Sequence, residues 1–125
     1  MDAEEMKKRT KQFAIEIGHL VLLLEKNDIN RNYSNQIIRS GTSPALNYGE
    51  AQSAESRKDF IHKIKIILKE LRETLICLKI VQSAKLHDSG DKLFFTMKEN
   101  DELISIFVKT VETAQKNLNA EKSTT

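Results

Sequence analysis

The chain has 125 residues, of which 30% are charged, with a formal net charge of +2. That length suits one domain whose core needs no disulfide or metal staple. Trp is absent and Pro occurs once. No apolar run approaches the roughly 20 residues that cross a bilayer.

The N-terminus, MDAEEMKKRTKQF, is too charged for a signal peptide. Cys77 stands alone, so no internal disulfide forms, and a reducing cytoplasm is the expected setting. The charge is uneven along the chain. Residues 55–85 carry eight cations and four anions, whereas residues 86–125 carry five and seven.

The first predicted helix covers about residues 3–26. Met6, Phe13, Ile17, Leu20 and Leu24 follow steps of seven, four, three and four, which is one helix face. Asp2 and Glu5 suit a capped start, and Val21, Leu22 and Leu23 widen the apolar face. Asn27, Asp28 and Asn30 supply turn and cap chemistry for a short connection.

The second helix is predicted over about residues 30–51. Tyr33 and Ile37 begin a face that continues through Gly41, Pro44 and Ala45. The stretch SGTSPALNYGEA admits two local conformations. Either Ser43 caps a second short helix with Pro44 at its first position, or one helix runs through and Pro44 kinks it. The small residues Ser40, Gly41, Thr42, Ser43 and Ala45 suit the continuous form, because they admit a close neighbour.

The third helix, about 54–86, carries the longest stripe: Phe60, Ile64, Ile67, Leu71, Leu75 and Leu78. Ser53 or Ser56 caps its start, with Glu55 or Asp59 in the first turn. The run from His87 to Lys92 contains Asp, Ser and Gly and ends the helix. Leu93, Phe94 and Phe95 are expected to tuck under the bundle end as an apolar plug. The fourth helix, about 98–119, shows Leu103, Phe107, Val111, Ala114 and Leu118, and the tail AEKSTT should fray. Four amphipathic segments with short links predict an all-α, up-down-up-down antiparallel four-helix bundle as one domain.

Arg39-Ser40, Ser43-Pro44, Asn47, Glu50, the run Glu55-Ser56-Arg57-Lys58-Asp59-Phe60, and then Lys69-Glu70 and Arg72-Glu73-Thr74 form a distinctive polar series. It resembles the signature of the four-helix-bundle proteins named for the 23S rRNA intervening sequence, over about residues 8–118. The family's usual Asn-Ile-Ala-Glu-Gly stands here as Asn47-Tyr48-Gly49-Glu50-Ala51. The resemblance implies a bacterial bundle that assembles as a ring, commonly a homopentamer, with a continuous second helix kinked at Pro44. It also implies a relationship to the accessory variability protein of diversity-generating retroelements, which is basic and binds nucleic acid and a reverse transcriptase. The family name records a genomic location, and does not by itself show rRNA binding.

In an antiparallel hairpin, Arg39, Ser43, Asn47 and Glu50 share one side of the second helix. Glu50 is expected near Arg57, and Arg39 at the level of Leu68 to Glu70. Arg39, Ser43, Asn47, Glu50, Arg57 and Glu70 are therefore expected to form a polar network that fixes helix register. Carboxylates and an arginine without a nucleophile do not assemble an active site, so no enzyme is expected. His19, His62, His87 and Cys77 have no metal-ligand spacing, and no glycine stands in a phosphate-loop context. No cofactor or metal is implied.

On the third helix, Lys58, His62, Lys65, Lys69 and Arg72 fall within about 80° of one another on the side away from the core. Such a stripe can meet phosphates and release counterions, weakly sequence-specifically for want of interleaved aromatics. It can equally be a solvated face, partly neutralised by Glu70 and Glu73. Ile66, Ile76, Cys77 and Ile80 also lie off the core stripe, which marks an oligomer interface. The repeat at 66, 73 and 80 suits helix-to-helix contacts between subunits, with Glu73 paired across them. The expected function is a non-enzymatic oligomeric scaffold that binds RNA or DNA, or a nucleic-acid enzyme such as a reverse transcriptase, through Lys58, Lys65, Lys69 and Arg72. The alternative is a protein–protein interaction module with no nucleic-acid role.

Overall fold

A computed structural model of the chain describes residues 2–86 and 89–123. It contains four helices: α1 (Ala3–Leu22), α2 (Asp28–Ala51), α3 (Arg57–Ser83) and α4 (Lys92–Ser123). Each packs on the next in sequence, and α4 returns beside α1 to close an antiparallel four-helix bundle.

The starts follow from capping chemistry. The Asp2 carboxylate accepts from Glu5 N at 2.8 Å, and Asn27 Oδ1 accepts from Asn30 N at 2.8 Å. Ser56, not Ser53, caps α3 by accepting from Asp59 N at 3.0 Å. Each cap satisfies a backbone donor that the first turn leaves without a partner.

α3 stops a turn earlier than expected, at a Schellman turn. Leu86 N donates to Val81 O at 3.0 Å and Lys85 N to Gln82 O at 3.2 Å, which forces Lys85 to φ +56°. A left-handed backbone disfavours an L side chain by about 1 kcal/mol, and glycine relieves it. Lys85→Gly is expected to raise stability by about 1 kcal/mol, read as a higher urea midpoint at unchanged slope. The histidine expected in this connection, His87, lies outside the described residues.

α2 is one helix through Pro44, so the two-helix alternative is excluded. The small residues around the proline are used as expected. A Cβ built on Gly41 would stand 2.8 Å from Ile17 Cγ1 and 3.0 Å from Cγ2, so α1 crosses α2 where α2 has no side chain. Ser40, fully buried, donates to Gln36 O at 2.9 Å and accepts from Thr74 Oγ1 at 2.7 Å, tying α2 to α3.

α4 begins six residues before its expected start, and the apolar plug does not form. Leu93 is buried, but Phe94 and Phe95 are 56% and 60% exposed. The core face of α4 runs Leu93, Thr96, Asn100, Leu103, Phe107. Those steps of three and four are helical, and they turn 94 and 95 outwards. Two polar residues at core positions hid the stripe.

Both polar residues are satisfied. Thr96 Oγ1 donates to Lys92 O at 2.7 Å. Asn100, with its amide oriented to its neighbours, donates to Leu71 O at 3.0 Å and accepts from Leu75 N at 3.2 Å. Thr74 and Asn100 thus flank the middle of α3 with buried hydrogen bonds, to α2 on one side and from α4 on the other. Around this layer Phe13, Ile17, Ile37, Ile64, Ile67, Leu71, Leu78, Leu103 and Phe107 form the core.

The α1–α4 seam is ionic. Arg9 donates to Glu99 at 2.8 and 2.6 Å and to Glu102 at 2.6 Å, and Lys92 pairs with Glu16. The hydrogen bond to Glu99 outweighs the loss of hydration and holds the Arg9 guanidinium above its ordinary range.

Candidate interaction surfaces of α2 and α3

The polar series on α2 divides into separate pairs. Arg39 donates to Glu70 at 3.2 Å and to Glu73 at 3.0 Å. The hydrogen bond to Glu73, and then the charge of Glu70, raise the Arg39 pKa. Asn47 donates to Ser43 Oγ at 2.7 Å and to Ser43 O at 3.0 Å, within α2 itself. Glu50 faces Lys63 at 3.7 Å, and Arg57 donates to Glu121 at 2.7 Å.

Glu50 and Arg57, expected to lie together, each pair with another residue. Arg57 is the first residue of α3, and its direction there is towards the end of α4. Lys63, six residues further on and so about 120° short of two turns, comes round to the α2 flank. Of the six residues expected to form one network, only Arg39 and Glu70 pair directly across the seam, while Ser43 and Asn47 pair locally.

Glu73, expected to pair across subunits, is engaged by Arg39 of its own chain. Cys77 lies a turn away and is half-buried. Burial pushes its thiol pKa up, the Glu73 charge adds to that, and Arg39 opposes it. It is a poor thiolate at neutral pH.

The same side of α3 is apolar where the bundle does not cover it. Ile76 is 60% exposed and Ile80 39%, with Ile66 and Cys77 half-buried beside them. A lone exposed isoleucine is unremarkable, but four apolar residues along one flank of one helix form a patch.

Lys58, Lys65, Lys69 and Arg72 are all exposed, as is His62. None of the four cations makes an ion pair with a described residue, since the ion pairs of α3 use Arg57, Lys63, Glu70 and Glu73. α3 therefore carries unpaired cations on its outward face, and further along the helix that outward face turns apolar at Ile76 and Ile80. Among the described residues no cluster of three or more His, Cys, Asp or Glu could hold a metal ion. No described helix is long and apolar enough to cross a membrane.

Sequence reasoning passed over Thr74 and Asn100 as structural polar groups and gave Asn30 turn and cap chemistry alone. Asn30 is buried and donates to Glu25 O at 2.8 Å and to Leu86 O at 3.1 Å, joining the α1–α2 link to the end of α3. Asn30 and Asn100 give a detectable signal, because each occupies a position that the apolar period assigns to the core.

These features define a class of small antiparallel bundles that present their chemistry on helix faces, along a polar α2–α3 hairpin. The chain belongs to the 23S rRNA-intervening sequence protein family, whose pattern matches residues 3–119. A similar solved structure is a protein with unknown function from the S23 ribosomal protein family of Bacteroides thetaiotaomicron VPI-5482. It is 29% identical, with a TM-score of 0.75, over 85% of this chain and 97% of that chain. No curated protein matches the chain.

Proposed function

We propose that the protein is a non-enzymatic oligomeric scaffold that binds nucleic acid through the outer face of α3. One observation carries this reading: Lys58, Lys65, Lys69 and Arg72 stand exposed on one face with no acidic partner among the described residues. Arg39 holds both Glu70 and Glu73, so that side sets one net negative charge against the four cations of the stripe. Four free cations on a rigid helix match a phosphate backbone, which they hold by releasing condensed counterions. Phosphate contacts of this kind position a nucleic acid without reading its sequence.

The apolar flank of α3 supports assembly, because copies that cover Ile66, Ile76, Cys77 and Ile80 would bring several basic faces together. The family's ring is the form we favour. Several weak sites on one assembly bind far more tightly than one site alone.

The test replaces Lys65, Lys69 and Arg72 by Glu and follows retention on nucleic acid against salt. Each lost phosphate contact lowers the slope of log affinity against log salt by about one, so a fall of about three is expected. Unaltered retention would remove α3 as the contact. A cellular partner that stays bound after nuclease treatment would favour the protein-interaction reading instead.

A further inference from the structure

We infer that the basic face of α3 ends on an aromatic platform, Phe94, and that its nucleic acid is single-stranded, with a base stacked on that ring. This rests on the reading of α3 as a nucleic-acid surface.

The row of cations is longer than the stripe described so far. Lys58, Lys65, Arg72 and Lys79 recur every seven residues. Lys79 is exposed and, like the others, has no ion pair with a described residue. Seven residues fall about 20° short of two whole turns, so the row winds slowly round the helix. Glu70, Glu73 and Thr74 mark the flank of α3 that meets α2. The drift is away from that flank, towards α4.

α4 presents Phe94 at the end of this path. The Asn100 bridge to Leu71 and Leu75 sets residue 100 level with about residue 73 of α3. The helices are antiparallel with equal rise, so Phe94 comes level with Lys79. Glu99 and Glu102 mark the α4 flank that meets α1. Phe94 is on the opposite flank, the one towards α3, by about 100° per residue. The exposed Asp101 shares that flank, level with Arg72, and makes no ion pair there.

Phe94 is 56% exposed and meets Phe95 edge-on, with ring centroids 5.5 Å apart at 72°. Phe95 in turn lines the small cleft between α1 and α4 with Gln12, Phe13 and Glu16. One ring braces the other, and Phe94 stays largely exposed at the level of Lys79. A phenyl ring has no hydrogen-bonding group with which to read a base edge, so what it offers is stacking. A base in a duplex already has both faces covered, whereas in a single strand the face is free.

The experiment measures anisotropy of a labelled oligouridylate and of a labelled RNA duplex, with wild type and Phe94→Leu. Leucine keeps an apolar side chain at a largely exposed site, so the fold should persist. Stacking on one ring predicts that Phe94→Leu weakens the single strand about tenfold and leaves the duplex unchanged. Phe95→Leu should weaken it less, and Lys79→Glu should lower both single-strand affinity and its salt slope. If wild type holds both probes equally and Phe94→Leu changes neither, the platform is wrong while the basic face stands. If wild type holds neither probe, both readings fall. If Phe94→Leu changes the solution mass, the ring belongs to a subunit contact and the inference is overturned.

Discussion

Gly41→Val is expected to destabilise the fold by about 2–3 kcal/mol, the upper part of the range for overpacking a closed core. A Cβ alone would sit 2.8 Å from Ile17 Cγ1 and 3.0 Å from Cγ2. Those carbons branch directly from the Ile17 Cβ, so they cannot swing away as the end of a long side chain would. Ile17 is fully buried, with Phe13 and Leu20 on the same face of α1, so it cannot turn out to solvent. The two helices must separate, and every contact along that crossing loosens.

Gly49→Ala on the same helix provides the control. A Cβ there meets nothing within 4 Å, and alanine is the better helix former, so a gain of about 0.5–1 kcal/mol is expected. Urea unfolding of both variants decides it. If Gly41→Val is as stable as wild type, α1 does not cross α2 at this point. Ile17→Ala should be costly alone, yet the double variant should lose less than the sum, because the smaller residue makes the space that valine needs.

Gly41 also shows where the sequence was informative. One stretch of small residues beside a proline has few uses in a helix, and close approach of a neighbour is the main one. The apolar stripes were legible for the same kind of reason. Met6, Phe13, Ile17, Leu20 and Leu24 all lie in the core, as their spacing required. Ile64, Ile67, Leu71 and Leu78 do so on α3.

What was lost is equally specific. Periodicity counts apolar residues, so a helix whose first turns set Thr96 and Asn100 inward reads as starting at about 98 and not at Lys92. The partner of Arg57 was lost for a different reason. A hairpin tells which residues share a level, but not which way each side chain leaves the helix. At the first turn of α3 the two differ, and Arg57 goes to Glu121 while Lys63 takes Glu50. Outward directions were more legible than the pairs: Lys58, Lys65, Lys69, Arg72, Ile76 and Ile80 are exposed, while Ile66 and Cys77 are half-buried. An outward direction needs only the core stripe as reference, and α3 supplied a clear one.

Replacing Ile76 and Ile80 together by Glu is expected to convert an assembly into monomers at micromolar concentration, with helical content unchanged. Both side chains are largely outside the bundle, at 60% and 39% exposure, so charging them removes little from the core. A stable interface buries roughly 800 Å² from each partner, and its centre must be apolar and free of unpaired charge. Two carboxylates placed at that centre are desolvated on assembly, and the pairs they can make with Arg72 and Lys79, a turn to either side of position 76, do not repay that cost once buried. Sedimentation equilibrium of wild type and variant measures the effect directly. Cys77 supplies an independent readout on the same flank. It is half-buried in the single chain and its thiol pKa is raised, so alkylation should be slow. It should become slower in the assembly, and return to the single-chain rate in the double variant. Wild-type protein that sediments as a monomer, with Cys77 reacting equally in both proteins, would leave the flank of α3 bare. The basic faces would then act one at a time, and nucleic-acid retention would show the affinity of a single weak site.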